Sequence, residues 1–128
     1  MGKKTRIAGW VLSILIAAFM IVASATPKFT GMEGMDKMLA EMGWTAQTMK
    51  MVGVFEVAFS LIFILPRIGF WGAILLTAYL GGAVSVHMRI GQPWFFPIIF
   101  GVLVWIALGM RQPEIFSLAA GKRLSSNG

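Results

Sequence analysis

Apart from Lys50 and Glu56, the charged residues of this chain all lie outside four long apolar runs. Ile7 to Ala25, Met49 to Leu65, Ile68 to His87 and Trp94 to Met110 are the runs. Between Ile68 and Val86 there is no charge, and then His87 and Arg89 follow. About 19 residues at about 1.5 Å each reach about 28 Å, the thickness of a bilayer's hydrocarbon core. The pattern predicts four membrane-spanning helices over about 7–25, 49–65, 68–87 and 94–110. Pro27 is expected to stop the first, Pro66-Arg67 to close the second, and Gly91-Gln92-Pro93 to turn between the third and fourth.

Within the longest connection, Met32, Met35, Met38, Leu39 and Met42 recur at helical spacing, with Glu33, Asp36, Lys37 and Glu41 between them. That spacing predicts a short amphipathic helix outside the membrane or capping the bundle. The methionines read as adaptable apolar packing, not as copper ligands, because periodicity alone accounts for them. Pro113 to Ala120 reads as a second short surface helix. Residues 111–128 read as a cytoplasmic tail whose end is polar and disordered. The expected fold class is therefore an all-α membrane protein. It is a four-transmembrane-helix bundle, one integral membrane domain over 1–128, with a short amphipathic extramembrane helix between spans one and two.

Composition sharpens this picture. The 128 residues are 58% hydrophobic and 12% charged, where a soluble domain carries about 25% charge. A soluble fold of this size has no means of hiding so much apolar surface, so the lipid bilayer is the first partner. The net charge of +6 comes from residues flanking the runs, the place for orientation signals and headgroup contacts, which argues against nucleic acid. A basic head (Lys3, Lys4, Arg6) before an apolar run ending Ala23-Ser24-Ala25 also has the form of a secretory signal. The length of the run favours a retained span. Basic residues are most frequent on the side holding Lys3, Lys4, Arg6, Arg67, Arg111, Lys122 and Arg123, which places both termini in the cytoplasm.

Candidate chemistry is sparse. There is no cysteine and one histidine, so thiol catalysis, thiolate metal sites, iron–sulfur clusters and bis-histidine haem ligation are excluded for one chain, and no metal site is expected. No self-sufficient catalytic constellation is present; at most the chain is a subunit of a membrane oxidoreductase. Glu56 is the one carboxylate well inside a span, on a face shared with Gly53, Ser60 and Phe63. A carboxylate in hydrocarbon costs about 2.5–3.5 kcal/mol and persists when paired, neutral, hydrated or useful. Lys28, His87 and Arg89 fall at the same end of the bundle, and Tyr79, the single tyrosine, needs a partner inside the third span. These five residues are the candidate ligand-binding set, in a polar pocket open to the outside. The competing reading makes Glu56 a structural pair with Lys28 or Arg89. Gly69, Ala73, Thr77, Gly81 and Ser85 form a small-residue face on the third span and read as helix packing.

Several segments carry a family resemblance. They are Val54-Phe55-Glu56-Val57-Ala58, Ile64-Leu65-Pro66-Arg67, Gly72-Ala73-Ile74-Leu75-Leu76-Thr77-Ala78-Tyr79-Leu80-Gly81-Gly82-Ala83, His87-Met88-Arg89-Ile90-Gly91 and Phe96-Pro97. With Pro27-Lys28-Phe29 and Met110-Arg111, they resemble the DoxX-like family of small four-span bacterial membrane proteins, over about residues 7 to 112. The resemblance implies a bacterial inner-membrane location and a link to quinone-dependent redox chemistry. The family's name comes from the small subunit of a thiosulfate:quinone oxidoreductase, and relatives are tied to oxidative-stress or thiol-redox complexes. It implies a quinone as the possible cofactor, and Lys28, Glu56, His87 and Arg89 as the matching polar positions. A partner redox subunit would then complete the enzyme. The alternatives are an oligomeric binding or carrier protein for a small molecule, ion or lipid, and a structural membrane anchor for a partner enzyme.

Overall fold

In the computed structural model, which describes residues 2–123, helices account for the fold and no strand occurs among the described residues. The first helical rod runs from Lys3 to Thr30 in three parts: α1 (Lys3–Ala18), a π-helical stretch (Phe19–Ala25) and α2 (Thr26–Thr30). Then come α3 (Met35–Met42), α4 (Ala46–Phe63), α5 (Gly69–Arg89), α6 (Phe95–Arg111) and α7 (Glu114–Ala119). The first rod, α4 and α5 are each long and apolar enough to cross a membrane. Helix α6 is equally apolar and only slightly shorter, at 17 residues.

Pro27 does not stop the first helix, contrary to the expectation from sequence. The preceding seven residues wind as a π-helix, and Pro27 falls in the first turn of α2. Proline has no N–H and its ring clashes with the carbonyl four residues back inside a regular α-helix. The wider i→i+5 turn moves that carbonyl away. The Thr26 hydroxyl donates to the carbonyl oxygen of Ile21, five residues back, at 2.9 Å. The rod therefore continues to Gly31, whose φ of 83° ends it.

Local signals set the other boundaries. Thr45 is extended and its hydroxyl accepts the Thr48 N–H at 3.1 Å, capping α4. Pro97 sits in the first turn of α6, where its missing donor costs little. Helix α3 lies between Gly34 (φ 81°) and Gly43 (φ 75°), and its apolar side rests on the ends of α4 and α5. Leu39, Met42 and Met49 are buried there, with Met35, Met38, Trp44 and Val86 packed around them. The methionine periodicity thus becomes packing.

The helices form a ring: α1 against α6, α6 against α5, α5 against α4, and α4 against the π stretch and α2. Both ends of the described chain lie at one end of the bundle, the terminal end. Helix α3 and the α5–α6 turn lie at the other, the loop end. The core holds Ile16, Phe63, Leu76, Val104, Ala107 and Leu108. Large apolar residues such as Leu15, Val22 and Trp71 are more than 60% exposed. A soluble fold does not turn such a surface outward; lipid covers it. Since lipid is as apolar as the core, close backbone approach and satisfied polar groups hold such a bundle together. At Gly9 an added Cβ would meet the Met110 Cβ at 2.7 Å, and at Gly72 it would overlap the Phe63 backbone.

The small-residue face of α5 packs over half its length. Gly69 and Ala73 are buried, but Thr77, Gly81 and Ser85 are exposed. Nothing lies within 4 Å of where a Gly81 Cβ would be. Beside this part of α5 lies an apolar groove of about 540 Å³ along Thr77, Gly81, Gly101 and Trp105, lined also by Ile115 and Phe116. The expectation that the whole face is packing is corrected accordingly.

Candidate functional site

Helix α4 carries Gly53, Glu56, Ser60 and Phe63 into the bundle, and all four are buried. The i, i+3, i+7, i+10 spacing therefore marked the inward face correctly. Gly53 is where the rod touches α4: a Cβ there would press on the Phe29 ring at 3.0 Å. This contact brings Lys28 over Glu56. The ammonium donates to Glu56 Oε1 at 3.0 Å, to the Ser24 carbonyl oxygen at 2.9 Å and to the Ser24 hydroxyl at 3.0 Å. Among the described residues this is the one salt bridge. All three donors of the ammonium are used. The Glu56 side chain is 1% exposed, against 17% for Lys28, so the lysine covers the carboxylate.

The second oxygen, Glu56 Oε2, is buried and has no hydrogen-bond partner. Tyr79 on α5 is the remaining polar neighbour, and its hydroxyl lies within electrostatic reach of the carboxylate. The group is thus a paired carboxylate with one free acceptor oxygen, beside a phenol. Ser60 adds nothing to it, because its hydroxyl donates back to the Glu56 carbonyl at 2.7 Å.

Two of the five expected residues take no part in this group. His87 Nδ1 donates to the Ala83 carbonyl oxygen at 2.6 Å, within its own helix. Arg89 donates to the carbonyl oxygen of Met42, fastening the end of α3. Neither makes a hydrogen bond or salt bridge to Glu56. The three that come together are Lys28, Glu56 and Tyr79. A cleft of about 570 Å³ opens at the loop end with Lys28 in its lining, whereas Glu56 lies below it, outside the lining.

A second polar centre lies at the terminal end and was not read from the sequence. Arg111, taken as an orientation signal, is 5% exposed. Its guanidinium donates to the carbonyl oxygens of Phe63 at 2.8 Å and Leu65 at 3.3 Å, and to the Ser13 hydroxyl at 3.2 Å. It lies over the Trp10 ring at 3.8 Å from the centroid. Among the described residues no carboxylate forms a salt bridge with it; the carbonyls at the C-terminal end of α4 supply the negative potential. Gly69 makes the room, since an added Cβ would lie 2.5 Å from the guanidinium. A basic residue after an apolar run carries no sign of burial. The available signal was the pair of glycines, Gly9 and Gly69, at the matching depth. Among the described residues no cluster of His, Asp or Glu forms a metal site.

The model of the DoxX-like family matches residues 11–107. No curated protein and no solved structure matches the chain significantly.

Proposed function

Because the chain belongs to the DoxX-like family and is an integral membrane protein, we propose that it is the membrane subunit of a quinone-linked redox assembly. In this reading Lys28, Glu56 and Tyr79 hold the polar head of a quinone. The observation that carries it is the orphaned oxygen: Glu56 Oε2 is buried with no partner. Such an atom costs about 1–3 kcal/mol unless something supplies a donor.

The donor set fits the group. A quinone offers carbonyl oxygens, and its reduced form offers hydroxyls. Tyr79 offers a donor and Oε2 an acceptor, while Lys28, whose three donors are all engaged, holds the carboxylate in place between them. A bound quinone would supply the two-electron chemistry. The chain's own part is to bind and orient the head group, to exclude water, and to take up or release a proton at Oε2. Lys28 fixes the other oxygen, Oε1, at 3.0 Å and so orients Oε2. Electrons would come from a partner subunit or a bound organic cofactor, because this chain has no cysteine and its described residues form no metal-binding cluster.

We place the protein in a bacterial inner membrane with both termini in the cytoplasm. Lys3, Lys4, Arg6 and Arg67 are exposed at the terminal end, as the positive-inside rule requires. Since no native cysteine interferes, single cysteines at Lys4 and Lys50 reacted with an impermeant maleimide on intact cells test this. Labelling at position 4 but not 50 would reverse the orientation.

Native mass spectrometry of protein extracted from its own membrane, beside Glu56→Gln, tests the head-group site. A quinone mass on the wild type that is lost in the variant is the expected result. A different small molecule lost in the same way would favour a binding or carrier protein. If both proteins carry only generic lipid, the reading fails. The complete cover over Glu56 favours the structural alternative, in which the pair only locks α2 to α4.

A further inference from the structure

The cleft at the loop end differs chemically from the buried pair beneath it. Its lining brings together Lys28 from α2, Lys37 from α3 and Lys50 from α4, with Asp36 as the one carboxylate. Lys28 is neutralised by Glu56. Lys37 and Lys50 are exposed and make no salt bridge among the described residues. Free charge in the cleft is therefore two lysines against one aspartate, a net of +1. The N-terminal ends of α3 and α4 also line it. Each adds partial positive charge, and Asp36 in the first turn of α3 offsets one of them.

The walls are apolar. Phe29, Met32, Met35, Leu39 and Met49 line the same cleft. A small, fully hydrated anion gains nothing from thioethers and a phenyl ring. A molecule with one negative charge and a hydrocarbon tail uses both kinds of surface. Methionine side chains adapt to tails of varying shape, and Gly31 and Gly34, both at positive φ, form the tight turn at the cleft's edge.

We propose that this cleft is a binding site for a monoanionic amphiphile, with its head between Lys37 and Lys50 and its tail along Met32, Met35 and Met49. The site goes beyond the quinone reading and does not depend on it, since Glu56 is not in its lining. The carboxylate of a free fatty acid and the phosphodiester of an anionic phospholipid share the required chemistry.

The test is methyl NMR of the full chain, labelled with ¹³C-methyl methionine, in phosphatidylcholine nanodiscs. Octanoate is the probe, with octanol as the uncharged tail and acetate as the tail-less head. Octanoate should shift the Met32, Met35 and Met49 methyls saturably, while octanol and acetate should not. Lys37→Gln/Lys50→Gln should weaken the response about tenfold, and Lys37→Arg/Lys50→Arg should retain it. Discs containing phosphatidylglycerol separate the two sources. Methyls already shifted there identify a bilayer lipid as the occupant; methyls that move only with octanoate identify a free amphiphile. Equal shifts from octanol or acetate, or an unchanged affinity in the Gln pair, would overturn the proposal. Glu56→Gln removes the quinone acceptor but frees the Lys28 ammonium that lines this cleft, so octanoate binding should persist or tighten while quinone is lost, and the two sites fail separately.

Discussion

Arg111, the last residue of α6, donates to the carbonyl oxygen of Phe63, the last residue of α4, at 2.8 Å. One guanidinium thereby holds the C-terminal end of α4, the α4–α5 turn through Leu65, and α1 through Ser13 and the Trp10 ring. The bundle's terminal end is stitched by a single planar donor.

Removing it should be costly. Arg111→Met is expected to destabilise the protein by about 2–4 kcal/mol, from lost hydrogen bonds and a cavity beside Gly69. Arg111→Lys should recover less than half of this, because a point charge cannot serve three oxygens in a plane and stack on Trp10 together. Thermal unfolding in one fixed detergent measures both. A lysine variant as stable as the wild type would show that charge alone matters there.

The Lys28–Glu56 pair should behave non-additively. Lys28→Met leaves a buried carboxylate without its partner and should cost about 3–5 kcal/mol. Adding Glu56→Gln should restore most of that loss. A double-mutant cycle gives the coupling directly; additive effects would mean the two groups do not sense each other.

Tyr79→Phe separates ligand binding from stability. The phenol makes no hydrogen bond of normal geometry, so its removal should cost less than about 1 kcal/mol. Quinone retention in native mass spectrometry should nevertheless fall. Retention equal to wild type would remove Tyr79 from the proposed site.

Two glycine substitutions should have opposite signs. Gly72→Ala drives a methyl into the Phe63 backbone and should separate α4 from α5, with loss of fold. Gly81→Ala meets open space and should be neutral or stabilising by about 0.5–1 kcal/mol. Expression level and unfolding temperature report both. A stabilised Gly72→Ala would contradict the close approach of these helices.

Arg89→Ala should loosen α3 without touching the bundle. The Met42 carbonyl loses its donor, and amide exchange over residues 35–42 should quicken while α4 and α5 stay protected. Unchanged exchange over α3 would mean that Leu39 and Met42 packing alone holds it.

Much of this architecture was legible from spacing. Glycine, acid, serine and phenylalanine at i, i+3, i+7 and i+10 cannot all face lipid, so the inward side of α4 followed from cost alone. The methionine period located α3 for the same reason. Partner choice was not legible. Lys28, His87 and Arg89 stand at the same depth and in one dimension are equal candidates for Glu56. Only the rotation of each helix gives the carboxylate to Lys28, returns His87 to its own backbone and sends Arg89 to α3. Arg111 was hidden because the same residue type at the same depth serves equally as a headgroup anchor.

The π-helical stretch has a consequence for the phase of everything after it. A π turn is in effect one residue inserted into an α-helix, and one residue is about 100° of azimuth. Without it, Phe19 to Ala25 would rewind as plain α-helix, and Lys28 would swing about a quarter turn away from α4. A single-residue deletion near Phe19, before the Ser24 contact to Lys28, would then leave Glu56 as a bare acid inside the bundle. The chemistry of the buried pair is set by a count of residues in an otherwise featureless apolar run.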